Sequence, residues 1–271
     1  MRSCMKKYLI VSDLDGSLAD ESHQVNEDTK QFVRGILDQG HLFYIATGRM
    51  KSLVANVAKD IDPRVGIIGS NGGIIQKDNE TLKTPLGRPE IENIFEVSRK
   101  HDIPAMFFTD KDILYTDFIP DFFSEPNEFH SNNIIKKITH FHEDIKKLEI
   151  INALIMGHHL EDPYDLLHQT KLALVENENL TITSSNPLNL EVYSRKASKG
   201  NALKHILEHH KINPQNTIVF GDGHNDVSMF EVANISVAMD NAPLEVKSKA
   251  KYVTKTNGEN GVIHFLSEYF K

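Results

Sequence analysis

One stretch constrains what this chain can fold into: Tyr8-Leu9-Ile10-Val11-Ser12-Asp13-Leu14-Asp15-Gly16-Ser17. Its apolar half reads as a buried strand. That strand delivers two carboxylates, two residues apart, at its C-terminal end. If the strand ran on, its period-two alternation would put Asp13 and Asp15 on one side. Gly16 points instead to a sharp turn there. The C-terminal end of a buried strand is where an open α/β sheet binds its ligand. Two close carboxylates repel each other, so one takes up a proton or a cation sits between them.

The pattern around this stretch alternates strand and helix. Asn26 reads as an N-cap, Glu27 and Asp28 follow in the first turn, and Val33, Ile36 and Leu37 form an apolar stripe that ends at Gly40. Leu42–Ala46 is a strand running into Thr47-Gly48-Arg49. A helix with Leu53, Val54 and Val57 inward follows, and then a short strand, Val65–Ile68, before Ser70-Asn71-Gly72-Gly73. Apolar strands separated by helices predict an α/β fold: a Rossmann-like parallel sheet covered on both faces.

From 83 to 187 the style changes. Pro85, Pro89 and Pro104 punctuate short strand candidates (Ala105–Phe108, Ile113–Tyr115, Ile151–Met156) and two helix candidates, Glu90–Lys100 and Pro163–Leu174. Phe118–Asn133 reads as a loop. This segment is expected to be an inserted α+β cap domain, with 1–82 and 188–271 as the two parts of the core. After Leu188 the chain offers a strand-like Asn189–Val192, a helix Gly200–His210, and a buried-type strand Thr217–Phe220 ending in Gly221-Asp222-Gly223-His224-Asn225-Asp226. Ile235–Ala238 is another strand. Asn241-Ala242-Pro243 reads as a capped helix start with a tolerated early proline, and Tyr252-Val253 as a last short strand.

Composition narrows the chemistry. With 30 Lys and Arg against 38 Asp and Glu, the 271-residue chain carries a net charge of −8. It has no general attraction for nucleic acid or anionic membranes. Its one cysteine, Cys4, allows no intramolecular disulfide, which fits a reducing cytoplasm. The short apolar run after Arg2, Lys6 and Lys7 is neither a signal peptide nor a membrane span. If the chain binds a small phosphorylated metabolite, local positive groups or a metal must do the work, and it is expected to act as a monomer or weak homodimer.

Strand ends of one parallel sheet lie on one edge, so Asp13 and Asp15, Thr47 and Gly48, and Asp222, Asn225 and Asp226 can converge. Several carboxylates call for a hard cation, and Mg²⁺ fits best. No Cys/His spacing suggests zinc. A calcium loop fails because Leu18 and Gln24 stand where glycine and glutamate are needed. Backbone N–H groups at Thr47-Gly48 suit an anion, and Lys199 can add positive charge. A carboxylate can then attack phosphorus, while a second protonates the leaving oxygen and later activates water.

These motifs resemble the haloacid dehalogenase superfamily of phosphohydrolases, in its Cof-type branch with a large cap inserted after the third strand. They are D-L-D-G-S at 13–17, A-T-G-R at 46–49, S-N-G-G at 70–73, S-K-G at 198–200, G-D-G-H-N-D at 221–226 and A-M-D-N-A-P at 238–243. In order and at this spacing they carry far more than any one alone. The resemblance implies Asp13 as the nucleophile that becomes phosphorylated and Asp15 as general acid/base. It implies Mg²⁺ held by the Asp13 carboxylate, the Asp15 backbone carbonyl and Asp222, with Asp226 in support. Leu14 N–H, Thr47, Gly48, Lys199 and Asn225 would hold the phosphate, and the cap would choose the substrate. Ser17 replaces the commoner threonine, and Asp240 stands where the family usually has glycine.

Blander readings exist for each part. Asp15-Gly16 alone could be a plain turn, Thr47-Gly48 alone helix punctuation, and Lys199 alone a solvated lysine. Arg49 reaches substrate or solvent with equal weight, and Asn71 lines the site or makes an Asn-Gly turn. The pairs His158–His159 and His209–His210 read as surface residues, since neighbours on a helix do not face one direction. Phe118, Phe122, Phe123 and Phe129 read as cap core or an interface. His224 is assigned no chemistry. The expected activity is a Mg²⁺-dependent phosphatase acting on a small phosphate monoester through an aspartyl-phosphate. The alternatives are a phosphotransferase or mutase on the same intermediate, or a regulatory protein that binds a phosphometabolite without turnover.

Overall fold

The computed structural model describes residues 6–78, 80–120, 134–157, 162–184 and 187–271. Cys4, the His158–His159 pair and Phe122, Phe123 and Phe129 lie outside them. The chain divides into two compact units, Met1–Leu82 with Ser198–Lys271, and Lys83–Ala197. Its strands in chain order are β1 (Leu9–Asp13), β2 (Leu42–Ala46), β3 (Gly66–Gly69), β4 (Ile74–Lys77), β5 (Glu80–Lys83), β6 (Ala105–Phe108), β7 (Asp112–Tyr115), β8 (Ile134–Lys137), β9 (Asn152–Met156), β10 (Leu180–Thr183), β11 (Asn189–Ser194), β12 (Thr217–Gly221), β13 (Ile235–Ala238) and β14 (Tyr252–Val253). The longer helices are α1 (Glu27–Asp38), α2 (Lys51–Ile61), α3 (Arg88–Lys100), α4 (Pro163–Val175), α5 (Lys199–His210) and α6 (Gly261–Tyr269).

In the first unit the strand order is β14-β13-β12-β1-β2-β3-β4-β5. β1 pairs in parallel with both β12 and β2, so it sits in the middle of the sheet. All five of its residues are buried. Period-two alternation sends Ile10 into a cluster with Val33, Ile36 and Leu37 of α1, while Leu9 and Val11 pack with Leu203 and Ile206 of α5. Burying each of these side chains contributes roughly 1.5–3 kcal/mol before chain entropy is counted. The expected cap on α1 is present: the Asn26 side chain accepts from Thr29 N. On α2 the buried residues are Val54, Ala58 and Ile61. Leu53 and Val57 are half-buried, because the 3.6-residue spacing from Val54 runs through 58 and 61.

The sheet does not stop at the third strand, as the sequence suggests. Ser70, Asn71 and Gly72 all take positive φ, at 49°, 52° and 97°. This reverses the chain, and β4 returns antiparallel to β3. At Gly72 a Cβ would lie 2.2 Å from the Ser198 carbonyl oxygen, so the turn also admits the start of α5.

The second unit has its own sheet, ordered β10-β11-β9-β6-β7-β8. Its pairs are antiparallel except β7 with β8. Ile91 and Ile94 of α3 and Leu167 and Leu174 of α4 pack on Phe107, Ala153, Ile155 and Val192. Here the expected boundary needs correction. β11 pairs antiparallel with β9 and β10, so the return to the first unit falls at Ser198 and not at Leu188. Leu190 and Val192 alternate as any half-buried strand does, and only their partners assign them to a sheet. Among the described residues no helix is long and apolar enough to cross a membrane.

Candidate active site

The site grows from the end of β1. After Asp13 the chain makes one wide helical turn, Leu14–Leu18, in which Asp15 (φ −81°, ψ 120°) and Gly16 (φ 79°, ψ 2°) are not helical. Ala19 N donates to Leu14 O at 2.8 Å and closes it. Gly16 is needed twice over: its φ is left-handed, and a Cβ would lie 2.3 Å from Asp222 Oδ2. The missing side chain is what lets Asp222 approach. Ser17 Oγ then donates to Asp222 Oδ1 at 3.2 Å and aims the carboxylate. Asp15 leaves the strand direction, and its carboxylate is not part of the group that Asp13 forms with Asp222 and Asp226.

Three carboxylates do come together. Asp13, Asp222 and Asp226 each offer an oxygen within 4.8 Å of the others. Lys199, the first residue of α5, is 1% exposed, and its Nζ donates to Asp13 Oδ1 and to Asp226 Oδ1, each at 2.6 Å. The Ser198 side chain caps α5 by accepting from Asn201 N, which fixes where Lys199 enters. Asp226 is committed further. Its Oδ2 accepts from the N–H groups of Asp222 (3.0 Å) and Gly223 (2.9 Å). It braces the loop that carries Asp222.

Charges explain the electrostatics. Burial holds the Asp13 carboxyl well above its ordinary value of 3.8, Lys199 pulls it back, and Asp226 and Asp222 push it up again. Asp222 is raised to about 6 by burial and by Asp226. Burial opposes the charge on Lys199, yet Asp13 and Asp226 outweigh it and the ammonium is held above its ordinary value. Three carboxylates against one ammonium leave excess negative charge. The donors are all hard oxygens, the set that suits Mg²⁺. Because the ligands must be ionised, a proton on Asp222 competes with the metal. The folded-state value of Asp222 is raised, so its stabilising contribution in metal-free protein is complete below 3.8 and lost as pH rises through about 6. Mg²⁺ held by these carboxylates would act in the opposite sense. The rise in Tm that Mg²⁺ produces is expected to be large at pH 7.5 and to fade by pH 5; an equal rise at both would refute this assignment.

Thr47 N donates to Ile68 O, and Arg49 N donates to Thr47 Oγ1. The junction therefore does not present a row of free N–H groups; what it can offer is the Gly48 N–H and the Thr47 hydroxyl hydrogen. Asn225 Nδ2 donates to Asn71 Oδ1 at 2.9 Å, and Asn71 N donates to Thr47 O. Asn71, 8% exposed and at φ 52°, thus ties the Thr47-Gly48 turn to the Asp222 loop. Arg49 lies against Asp15. Leu14 is buried behind the turn.

Two contributors escaped the sequence reading. Asn241 caps no helix: its Nδ2 donates to Gly16 O at 2.8 Å, and its Oδ1 accepts from Asn257 N. It steadies the turn that admits Asp222. His23 Nδ1 stands 3.3 Å from Asp15 Oδ1. Asn241 lies in the A-M-D-N-A-P stretch, but nothing in that spacing reveals its contact with Gly16, and His23 lies in none of the motifs. His210 is half-buried, with its Nε2 2.8 Å from the Tyr44 hydroxyl.

The fold and the site define an α/β enzyme with a carboxylate–ammonium centre at the strand ends. Residues 10–266 match the haloacid dehalogenase-like hydrolases. The chain belongs to that family and is a Cof-type phosphatase. It is 29% identical to the 5-amino-6-(5-phospho-D-ribitylamino)uracil phosphatase YwtE of Bacillus subtilis, over 96% of each chain. It is 28% identical to the phosphatase YwpJ of the same organism, over 95% of this chain and 98% of that one. Among solved structures, a haloacid dehalogenase-like hydrolase from Bacteroides thetaiotaomicron superposes with a TM-score of 0.83 at 25% identity, covering 98% of this chain and 100% of that one.

Proposed function

We propose that this phosphatase is Mg²⁺-dependent and hydrolyses small phosphate monoesters in a reducing cytoplasm, through an aspartyl-phosphate on Asp13. The observation that carries this reading is the convergence of Asp13, Asp222 and Asp226 on a buried Lys199. Asp13, Asp222, Asp226 and the Asp15 backbone carbonyl would hold the ion, which supplies charge that offsets the repulsion between an anionic nucleophile and an anionic ester. Lys199 keeps Asp13 in a fixed orientation for attack on phosphorus. Leu14 N–H, Gly48 N–H, the Thr47 hydroxyl, Lys199 and Asn225 bind the phosphoryl oxygens. Asp15 gives a proton to the leaving oxygen and takes one from the water that hydrolyses the acyl phosphate.

Sugar phosphates, nucleotides and phosphorylated cofactors are the substrate classes, and the inserted unit carries the choice among them. The name of the YwtE relative supports a phosphate on a primary alcohol. The test is phosphate release across a panel of such esters, with Mg²⁺ and with EDTA. Release from a subset that stops with EDTA is the expected result. Release that persists in EDTA would refute the metal role. Transfer to an added sugar in preference to water would replace hydrolysis with phosphoryl transfer.

A further inference from the structure

Beside the carboxylate centre lies a second group of charged side chains: Asp15, Arg49 and His23. Arg49 grips Asp15 with a two-point fork. Its Nε donates to Oδ2 at 2.8 Å and its Nη2 donates to Oδ1. His23 Nδ1 approaches Oδ1 from another segment. The Asp15 side chain is 37% exposed, so packing does not hold its carboxylate in place. The backbone on either side of the fork is better fixed. Arg49 N donates to Thr47 Oγ1, and Arg49 O accepts from Ser70 N. His23 sits at φ 60° in a tight turn, where its N donates to Asp20 O and Asp20 Oδ1 accepts from Ser22 N and Gln24 N.

We propose that Arg49 is a positioning residue for Asp15 and not a phosphate ligand, with His23 as a weaker second support. The proposal rests on the reading that Asp15 serves the leaving group. A planar guanidinium that meets a carboxylate at two points fixes its plane as well as its distance. An unsupported carboxylate at a turn has its full rotamer freedom, and general acid catalysis falls steeply when the acid is misplaced by about 1 Å. Both Asp15 oxygens are engaged, so one must be released from the fork to reach the ester oxygen. The other then still pivots on Arg49.

The step defines the readout. As the bond from Asp13 oxygen to phosphorus forms and the ester P–O bond breaks, one proton passes from Asp15 to the departing alkoxide. In the second half water attacks phosphorus, the Asp13 O–P bond breaks, and the water proton returns to Asp15. A p-nitrophenolate leaves without that proton, whereas an alkoxide does not. A general acid is worth roughly 10²–10⁴-fold. Loss of its positioning therefore penalises an alkyl ester and largely spares an aryl ester. Loss of a phosphate ligand penalises both and raises KM for both.

The experiment uses the full chain with Mg²⁺, with p-nitrophenyl phosphate and ribose 5-phosphate as probes, and measures kcat and KM for wild type, Arg49→Gln, Arg49→Lys and His23→Ala. In Arg49→Gln, kcat on ribose 5-phosphate is expected to fall at least about tenfold further than on p-nitrophenyl phosphate, with KM changed less than kcat. Arg49→Lys recovers part of the difference, and His23→Ala shows the same bias at a few-fold. Equal losses on both probes with raised KM overturn the proposal in favour of phosphate binding, and unchanged ratios in all variants overturn it outright. His23 is an exposed side chain, so its variant carries the test if Arg49→Gln does not fold. A wild type that releases phosphate from neither probe removes the underlying hydrolytic reading. A wild type active on both, with unbiased variants, removes only the positioning role.

Discussion

Asp13→Asn is expected to abolish phosphate release, with a loss of about 10⁴-fold or more, while the protein stays folded. Removing a covalent nucleophile removes the step itself, and losses of that order follow in other covalent enzymes. The asparagine keeps the shape of the side chain and still offers an oxygen to the Lys199 ammonium, which now sits 2.6 Å from Asp13 Oδ1. It also removes one of three close carboxylates whose mutual repulsion, added to burial, raises the Asp13 carboxyl. Metal-free variant protein is therefore expected to melt no lower than wild type. The measurements are single-turnover phosphate release, a thermal melt, and trapping of a phosphoryl group on the chain. If Asp13 were a metal ligand alone, activity would recover at high Mg²⁺ concentration. Such recovery would sink the aspartyl-phosphate.

Lys199→Met is expected to lower stability more than any surface change and to cut turnover as well. The side chain is 1% exposed and its ammonium bonds two carboxylates. Methionine fills a similar volume but leaves Asp13 and Asp226 facing each other without their counter-charge. Removing one partner of a buried ion pair costs about 3–5 kcal/mol. A divalent cation at the same carboxylates offsets part of that loss. Denaturant melts of the variant are expected to shift down strongly in EDTA and to recover partly in Mg²⁺. A variant as stable as wild type in EDTA would mean that Lys199 does not neutralise the centre.

Much of the fold could be read from local pattern because it is governed by local physics. The strand through Val11, the Asn26 cap and the stripe Val33, Ile36 and Leu37 of α1 each depend on spacings of two to four residues. The strand-end groups Asp13, Thr47 and Asp222 were legible for a related reason. Parallel pairing brings the ends of β1, β2 and β12 to one edge, whatever the loops do. The misses involve either a choice of partner across a long separation or an unusual local backbone. Residues 189–192 read as a strand of the first unit until β9 and β10 claim them. β4 was missed because its return depends on three successive positive φ values, two of them at Ser70 and Asn71. Asn241 looked like a helix cap because Pro243 follows, yet its amide meets Gly16, 225 residues away in sequence.

Residue types and spacings alone place the groups at the strand ends: carboxylates at 13, 15, 222 and 226, a hydroxyl at 47 and a lysine just before a helix at 199. Residue identity and short-range periodicity are enough for that. Only the tertiary structure decided how these groups are divided. It buries Lys199 between Asp13 and Asp226, spends both oxygens of Asp226 on an ammonium and two backbone N–H groups, and turns Asp15 out toward Arg49 and His23. The physical reason is the fall of electrostatic and hydrogen-bond energy with distance and its growth with burial. Apart from the two backbone bonds inside the Asp226 loop, those contacts join residues 8 to 186 positions apart, and such proximities exist only once the chain has folded.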